Sequence, residues 1–374
     1  MPGHSQIIHS MKQIFRFIPL IFTLFILSCN NKNSNPQEQE QAQLQVNDYA
    51  PKLDSLIQTT RPRTFNGVIL ITQNGETKYS KAYGYAHFKD KTPISLQDNF
   101  RIQSNSKQVT AVLLLKEVEN GKIDLKSTIR KYLPDFKQTW ADTVTVHQLL
   151  NMSSGIRSID KPLLFEPGTA YKYSNAAYSL LGSIIERVTG KTYIELANNL
   201  FKSLAMTNTY CYEIGKTNQG LISGYEVASD QFKLVDFNAR GITQEGWKAF
   251  IPAGGIISNA QDLNIWDTKL HTGKILKPTS YQLMINYNNT GQHDAFGDEK
   301  IGYGYGLRIY DKKPLKKHIG HAGRGIGFAS IKFYVPEKNL DVIVLENVYN
   351  EDTSIVYHFE KEIRKIVLNS SLVK

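Results

Sequence analysis

Two cysteines among 374 residues are too few for a disulfide scaffold, and too few for a cysteine-ligated zinc or iron–sulfur cluster. The apolar run Phe17–Leu27 has 11 residues, with Pro19 and Thr23 inside it, well short of the roughly 18–20 that span a bilayer. No Gly-x-Ser-x-Gly elbow, P-loop or dinucleotide fingerprint occurs, which disfavours α/β-hydrolase, nucleotide and NAD chemistry. No repeat with a period of roughly 20–50 residues is present. Charged residues at 21% and hydrophobic residues at 41% are ordinary globular usage, which excludes disordered, collagen-like and coiled-coil chains. The length suggests about two domains' worth of polypeptide around a large core.

What is present begins with an export pattern. Lys12 and Arg16 precede the Phe17–Leu27 run, and Ile26-Leu27-Ser28-Cys29 follows in the manner of a bacterial lipobox. The expectation is a lipoprotein signal over 1–28, readable from Met11 as a start, with Cys29 lipidated. A plain signal peptide or a short anchor is the alternative. Lipid on Cys29 would leave Cys211 as the only thiol. Residues 29–46 are polar and Asn/Gln/Glu-rich, so a flexible tether is expected there. Loss of Lys12 and Arg16 lowers the formal charge from +10 to +8. The remaining charges are scattered except for Lys312, Lys313, Lys316 and Lys317, which surround Pro314 and read as a solvated hairpin turn. Nucleic acid is therefore not expected as a partner. A membrane, through the lipid, is.

The mature chain reads as strands, helices, strands and a helix. A short helix is expected over Tyr49–Gln58, and strands over Gly67–Thr72 and Thr77–Tyr85 flank Asn74-Gly75, a hairpin signal. Helices follow at Ser106–Glu119, Ala176–Val188 and Tyr193–Leu204, the first two closed by Asn120-Gly121 and Gly190. Strands return at Gly304–Tyr310, Gly327–Val335 and Leu340–Asn347, before an amphipathic helix over Glu351–Leu368. The fold class is thus α+β: an antiparallel sheet flanked by helices, built from N- and C-terminal segments (47–100 and 250–370), with a mostly helical domain (101–249) inserted. The junction of two such parts favours a catalytic cleft.

Ser-x-x-Lys occurs three times, at Ser104/Lys107, Ser158/Lys161 and Ser371/Lys374. Only Ser104 opens an apolar helix, where spacing i to i+3 puts hydroxyl and amine on one face. Such a helix start also offers unpaired N–H groups and partial positive charge. A serine there is ordinarily just an N-cap. Tyr173-Ser174-Asn175 precedes the next helix and presents a phenol and an amide to one side, although Asn175 has a capping alternative. His321-Ala322-Gly323 lies among glycines before a strand. His318 and His321, three apart in an extended segment, point to opposite faces and make a poor metal pair. No metal or other cofactor is expected.

In order and spacing (69 residues from Ser104 to Tyr173, then 148 to His321), these motifs resemble those of the serine acyl-transferases of the β-lactamase and penicillin-binding-protein superfamily. The nearest branch holds class C β-lactamases, D-Ala-D-Ala carboxypeptidases and esterases. Leu149–Gly155 resembles its Leu-Leu-x-His-x-Ser-Gly, with Asn151 and Met152 departing from it. Ser203-Leu204-Ala205-Met206 and Ala253–Ser258 are similar to two further signatures. The resemblance implies a β-lactamase/transpeptidase-like fold, Ser104 as nucleophile, Lys107 and Tyr173 as shared base and proton shuttle, and Asn175 as substrate amide holder and orienter of Lys107. It further implies His321 on the opposite wall, Gly323 beside the substrate, and the N–H groups of Ser104 and Arg324 as oxyanion hole.

Tyr (~10) and Lys (~10.4) are poor bases at neutral pH, so one must be shifted by about three units. The expected function is an envelope serine hydrolase acting on D-amino-acid peptides, small esters or, weakly, β-lactams. Its substrate would be a small molecule or peptide, with peptidoglycan-derived peptides among the candidates. The alternative is a non-catalytic penicillin-recognising or peptide-binding lipoprotein. His321-Ala322 in place of Lys-Thr implies loss of a fixed cation and a hydroxyl. Arg324 would restore the cation only if it turns inward.

Overall fold

Strand β1 (Gly67–Gln73) is apolar from Val68 to Ile71 because both of its faces are covered there. Val68 and Leu70 point into a large core shared with the central helices, whereas Ile69 and Ile71 pack against the first and last helices. The structure, a computed structural model, describes residues 47–374 apart from Ser229 and Asp230. The expected signal, Cys29 and the tether through residue 46 lie outside the described residues. Among the described residues, no helix is long and apolar enough to cross a membrane.

β1 is followed by β2 (Glu76–Tyr83) through Asn74-Gly75, whose positive φ values of 54° and 81° match the twist of a two-residue hairpin. The other strands of this sheet come from the far end of the chain: β3 (Thr290–Gln292), β4 (Lys300–Tyr303), β5 (Arg308–Tyr310), β6 (His318–Gly325), β7 (Phe328–Val335) and β8 (Leu340–Glu346). Their order in space is β3-β4-β5-β6-β7-β8-β1-β2, antiparallel throughout. β1 pairs with β8 from Gly67↔Glu346 to Gln73↔Leu340, which joins the two ends of the chain.

Helices α1 (Ala50–Ile57) and α7 (His358–Leu368) cover one face of this sheet. The other face carries α2 (Ser106–Glu119), α3 (Asn175–Thr189), α4 (Tyr193–Ser203), α5 (Gln244–Gly254) and α6 (Ala260–His271). The first ten residues of α2 are buried on every side, the apolar Val109 and Ala111–Leu115 together with the polar Ser106, Lys107, Gln108 and Thr110. α3 starts on the Ser174 hydroxyl, which accepts from the Ala177 N–H at 3.0 Å, and ends on Gly190 at φ 70°. Arg63 locks the two chain ends together. Its guanidinium donates to both Glu346 carboxylate oxygens at 2.6 and 2.8 Å and to the Ile355 and Val356 carbonyls at 3.1 Å.

Two expected elements differ. The run Gly304–Tyr310 is strand only from Arg308, because Gly304 N–H closes a turn on Leu307 O at 2.9 Å. In that turn Gly306, at φ 68°, is pressed against α2, where an added Cβ would meet the Lys107 carbonyl oxygen at 2.7 Å. The expected helix Glu351–Leu368 is two helices, Thr353–Val356 and α7, interrupted at Tyr357. No glycine or proline announces that break. Tyr357 instead packs edge-on against His293 at a ring separation of 4.7 Å. The lysine-rich stretch Asp311–Lys317 is an exposed connection between β5 and β6, as a solvated turn requires.

Candidate active site

The sheet meets the helical layer at the turn that carries Ser104. Residues Gln103–Asn105 form one 3₁₀ turn leading into α2, so Ser104 lies just ahead of the α-helix. Gln103 has φ 51°, a left-handed conformation unfavourable for a side chain with a Cβ. Surrounding contacts hold it there. Gln103 Nε2 donates to Gly325 O at 2.7 Å, Asn105 Nδ2 donates to Ser330 Oγ at 2.9 Å, and that hydroxyl donates to Ile102 O at 2.7 Å. Strands β6 and β7 thus hold the turn and the residue before it through these three bonds. Within this buried run, Ser104 alone keeps partial exposure.

Lys107 is fully buried below it. Its Nζ lies 3.1 Å from Ser104 Oγ, 2.8 Å from Asn175 Oδ1 and 2.6 Å from Ala253 O. Ala253 and Pro252 occupy the last turn of α5, whose carbonyls lack helical partners. Lys107 takes one of these carbonyls, and Thr110 Oγ1 takes Pro252 O at 2.6 Å. Burial, reinforced by the nearby Arg308 charge, holds the Lys107 amine well below the ordinary lysine range. A neutral amine has two N–H bonds and one lone pair. In that neutral form Lys107 can give its two N–H bonds to Asn175 and Ala253 and turn its lone pair to the Ser104 hydroxyl.

Tyr173 stands beside this pair. Lys107 Nζ is 4.9 Å from its ring centre, and both Tyr173 and Ser104 line the cleft. Burial pushes the phenol up to about 12, against the opposing pull of Arg308. At neutral pH it is therefore a protonated phenol. The departures noted at Asn151 and Met152 support this segment. Met152, at φ 64°, accepts Ser174 N–H on its sulfur at 3.2 Å and Lys172 N–H on its carbonyl at 2.9 Å. Asn175 is the first residue of α3 and leaves capping to Ser174, so its amide is free to hold Lys107.

The opposite side is β6. Gly323 faces the nucleophile turn so closely that a Cβ would lie 2.4 Å from Ile102 O. A cleft of about 330 Å³ is lined by Ser104, Tyr173 and Asn175 on one side and Ala322, Gly323 and Arg324 on the other. His321 is not part of that wall. It lies behind it, 3% exposed, with Nδ1 2.6 Å from Ala322 O and Nε2 3.1 Å from Tyr303 Oη. Nδ1 therefore carries the ring proton, and burial with the Arg308 charge keeps the imidazole neutral, well below its usual range.

The wall holds a cation that motif reading missed. Arg308, from β5, lines the cleft, with Cζ 5.8 Å from the Tyr173 ring centre and Nη1 3.5 Å from His321 Nδ1. In sequence it is one arginine in a strand-like run, and no local pattern marks it. Gln292, His293, Asp294 and Tyr357 close the far end and were equally unmarked. Arg324 does line the cleft, its guanidinium 5.1 Å over the Tyr357 ring. The other two Ser-x-x-Lys copies build nothing comparable. Ser158 and Lys161 both engage Asp160, while Ser371 Oγ donates to Asp48 at 2.9 Å.

Comparison with known proteins agrees with this geometry. The Beta-lactamase family model matches residues 53–362. Protein flp of Staphylococcus aureus is 25% identical, over 85% of this chain and 67% of its own length. The octameric penicillin-binding protein homologue from Pyrococcus abyssi superposes with a TM-score of 0.71 at 26% identity, covering 85% of this chain and 76% of that one. The D-amino acid amidase from Ochrobactrum anthropi, complexed with D-phenylalanine, has the same fold, with a TM-score of 0.70 at 24% identity over 86% and 99%.

Proposed function

The chain belongs to the β-lactamase family and is a serine hydrolase of that fold, and from this premise we propose that it forms an acyl-enzyme at Ser104. The observation that carries the proposal is the buried Lys107 amine, whose Nζ lies 3.1 Å from Ser104 Oγ and is held there by Asn175 Oδ1 and Ala253 O. Lys107 accepts the Ser104 proton as Oγ attacks the carbonyl carbon. The Ser104 and Arg324 N–H groups hold the oxyanion, each such donor contributing about 2.7–4 kcal/mol. Tyr173, a protonated phenol, relays a proton to the departing group, and Lys107 regains its basicity for attack by water on the acyl-enzyme.

The substrates are amides and esters: D-amino-acid peptides and small acyl compounds. β-Lactam turnover is slow, because Ala322 offers no hydroxyl to an antibiotic carboxylate; a chromogenic cephalosporin turned over above ~10⁶ M⁻¹s⁻¹ would contradict this. Reaction with a fluorophosphonate, read by intact mass and peptide mapping, tests the acyl-enzyme. One adduct on Ser104 supports it, and an unreactive protein sinks it. Location at the periplasmic face through lipid on Cys29 belongs to the same proposal. It rests on the apolar run that ends in Leu-Ser-Cys and on the polar segment that follows. Cys29→Ser should release the protein from the membrane fraction, and an unmodified Cys29 in the mature mass overturns the location.

A further inference from the structure

The end of the sheet where the described residues begin is also its lysine-rich end. Asp48 accepts from the Ser371 N–H and hydroxyl, both at 2.9 Å. Gln73 Nε2 donates to Leu372 O at 2.9 Å and to Lys338 O at 3.2 Å, and Glu337 beside it is bound by Lys316 at 3.0 Å. Asn47, through which residues 1–46 join the described part, therefore shares this end with the Asp311–Lys317 connection.

That connection carries four lysines against one aspartate, and the aspartate accepts from the Tyr287 hydroxyl at 2.9 Å. Lys316 is spent on Glu337. Lys312 and Lys313 are exposed, Lys317 is half-buried, and none of the three forms an ion pair among the described residues. Beside Lys317, Leu283 is 43% exposed in a shared groove, apolar surface of the kind that settles among lipid headgroups. A lysine without a carboxylate is drawn to an anionic bilayer, roughly fivefold in affinity for each one close to the surface.

The catalytic turn lies at the other end of the same strands. β6 runs from His318, directly after the lysines, to Gly325, whose carbonyl accepts from Gln103, and β7 brings Ser330 to that turn. The length of β6 separates the two ends by roughly 20 Å.

We infer that this end of the sheet lies on an anionic bilayer, with Lys312, Lys313 and Lys317 among the phosphodiester headgroups and the cleft turned away from the membrane. The inference rests on the envelope location proposed above and deepens it: lipid on Cys29 holds the chain at the membrane, and the lysines decide which side faces it.

The test uses the full chain and vesicles of phosphatidylcholine, alone or mixed equally with phosphatidylglycerol. Residues 1–46 are common to every variant, so the readout is the ratio of binding to anionic over neutral vesicles, by sedimentation at low and high salt. Lys312→Gln/Lys313→Gln/Lys317→Gln should lower that ratio roughly 100-fold at low salt, and high salt should erase the difference. A control triple, Lys137→Gln/Lys202→Gln/Lys248→Gln, changes exposed lysines of the 101–249 segment and should leave it nearly unchanged. On vesicle-bound wild type, Ser104 should react with fluorophosphonate as fast as in solution; where Ser104 is unreactive, the ratio decides. An unchanged ratio in the first triple, an equal fall in the control, or vesicles that shield Ser104 overturns the orientation. So does binding of soluble polyphosphate through these lysines without preference for anionic vesicles. A lysine-dependent ratio with an unmodified Cys29 sinks the anchor alone, whereas a lipidated Cys29 with a lysine-independent ratio sinks the orientation alone.

Discussion

Gly323 faces the Ile102 carbonyl so closely that one added carbon would lie 2.4 Å from that oxygen. Ile102 is two residues ahead of Ser104, and its carbonyl also accepts the Ser330 hydroxyl. Gly323→Ala must therefore push β6 away from the nucleophile turn. The expected outcome is a stability loss of about 1–3 kcal/mol with a much slower acylation of the folded fraction. Urea unfolding and timed fluorophosphonate labelling read the two effects. Unchanged labelling would mean the turn does not depend on this contact.

Ser104→Ala should abolish covalent labelling and lower turnover by about three orders of magnitude or more. The melting temperature should hardly move, since Ser104 is the partly exposed residue of its turn. If peptide mapping instead finds the adduct on Ser158, whose hydroxyl is spent on Asp160, the site has been misplaced.

Burial holds the Lys107 amine well below the ordinary lysine range, so on the proposed mechanism its ionisation sets the pH dependence. kcat/KM for a neutral p-nitrophenyl ester should fall tenfold per pH unit below that ionisation and level off well before pH ~10.4. Stability carries the matching sign. Between the folded and unfolded ionisations the unfolded chain binds more protons, so stability rises with pH across that window. The penalty is fully present below the folded value and is relieved as pH approaches ~10.4. Lys107→Met should lose both activity and this slope in urea titrations at several pH values. An ester profile that inflects near 10 would refute a neutral Lys107.

Glu346 is 1% exposed and bound on both oxygens by Arg63. Glu346→Ala strands a buried guanidinium, which should reduce stability by about 3–5 kcal/mol. The pair lies outside the cleft, so activity per folded molecule should persist. A loss below 1 kcal/mol by urea unfolding would show that Ile355 O and Val356 O suffice to hold Arg63.

Most of what positions the chemistry was legible in the sequence, because it depends on local rules. Asn74-Gly75 marks its hairpin by backbone conformation, and the apolar residues of α2 announce a helix buried on all sides. Ser104, Lys107, Tyr173 and Asn175 were recognisable by type and order. What escaped was set by tertiary contact. Arg308 differs from any strand arginine only in what lies across from it. Gln103 adopts φ 51° through bonds to Gly325 and the neighbouring network, and its identity gives no hint of that. The short strands β3 and β4 escaped notice, and so did the break at Tyr357, which no helix-stopping residue foretells. His321 was placed by motif on the wall, yet Tyr303 and its own neighbour's carbonyl draw the ring behind it.

The pairing of the first strand with the eighth has a consequence for the order of biosynthesis. Gly67 waits for Glu346, and the turn bearing Ser104 waits for Ser330, 226 residues later in the chain. At about 5–20 residues per second, roughly 10–45 s separate synthesis of the nucleophile from synthesis of the strand that clamps it. A nascent or truncated chain thus carries Ser104 and Lys107 without the β6–β7 wall that positions them. The wall opposite Ser104 is therefore complete only after Ser330 has been made, late in synthesis of the described residues.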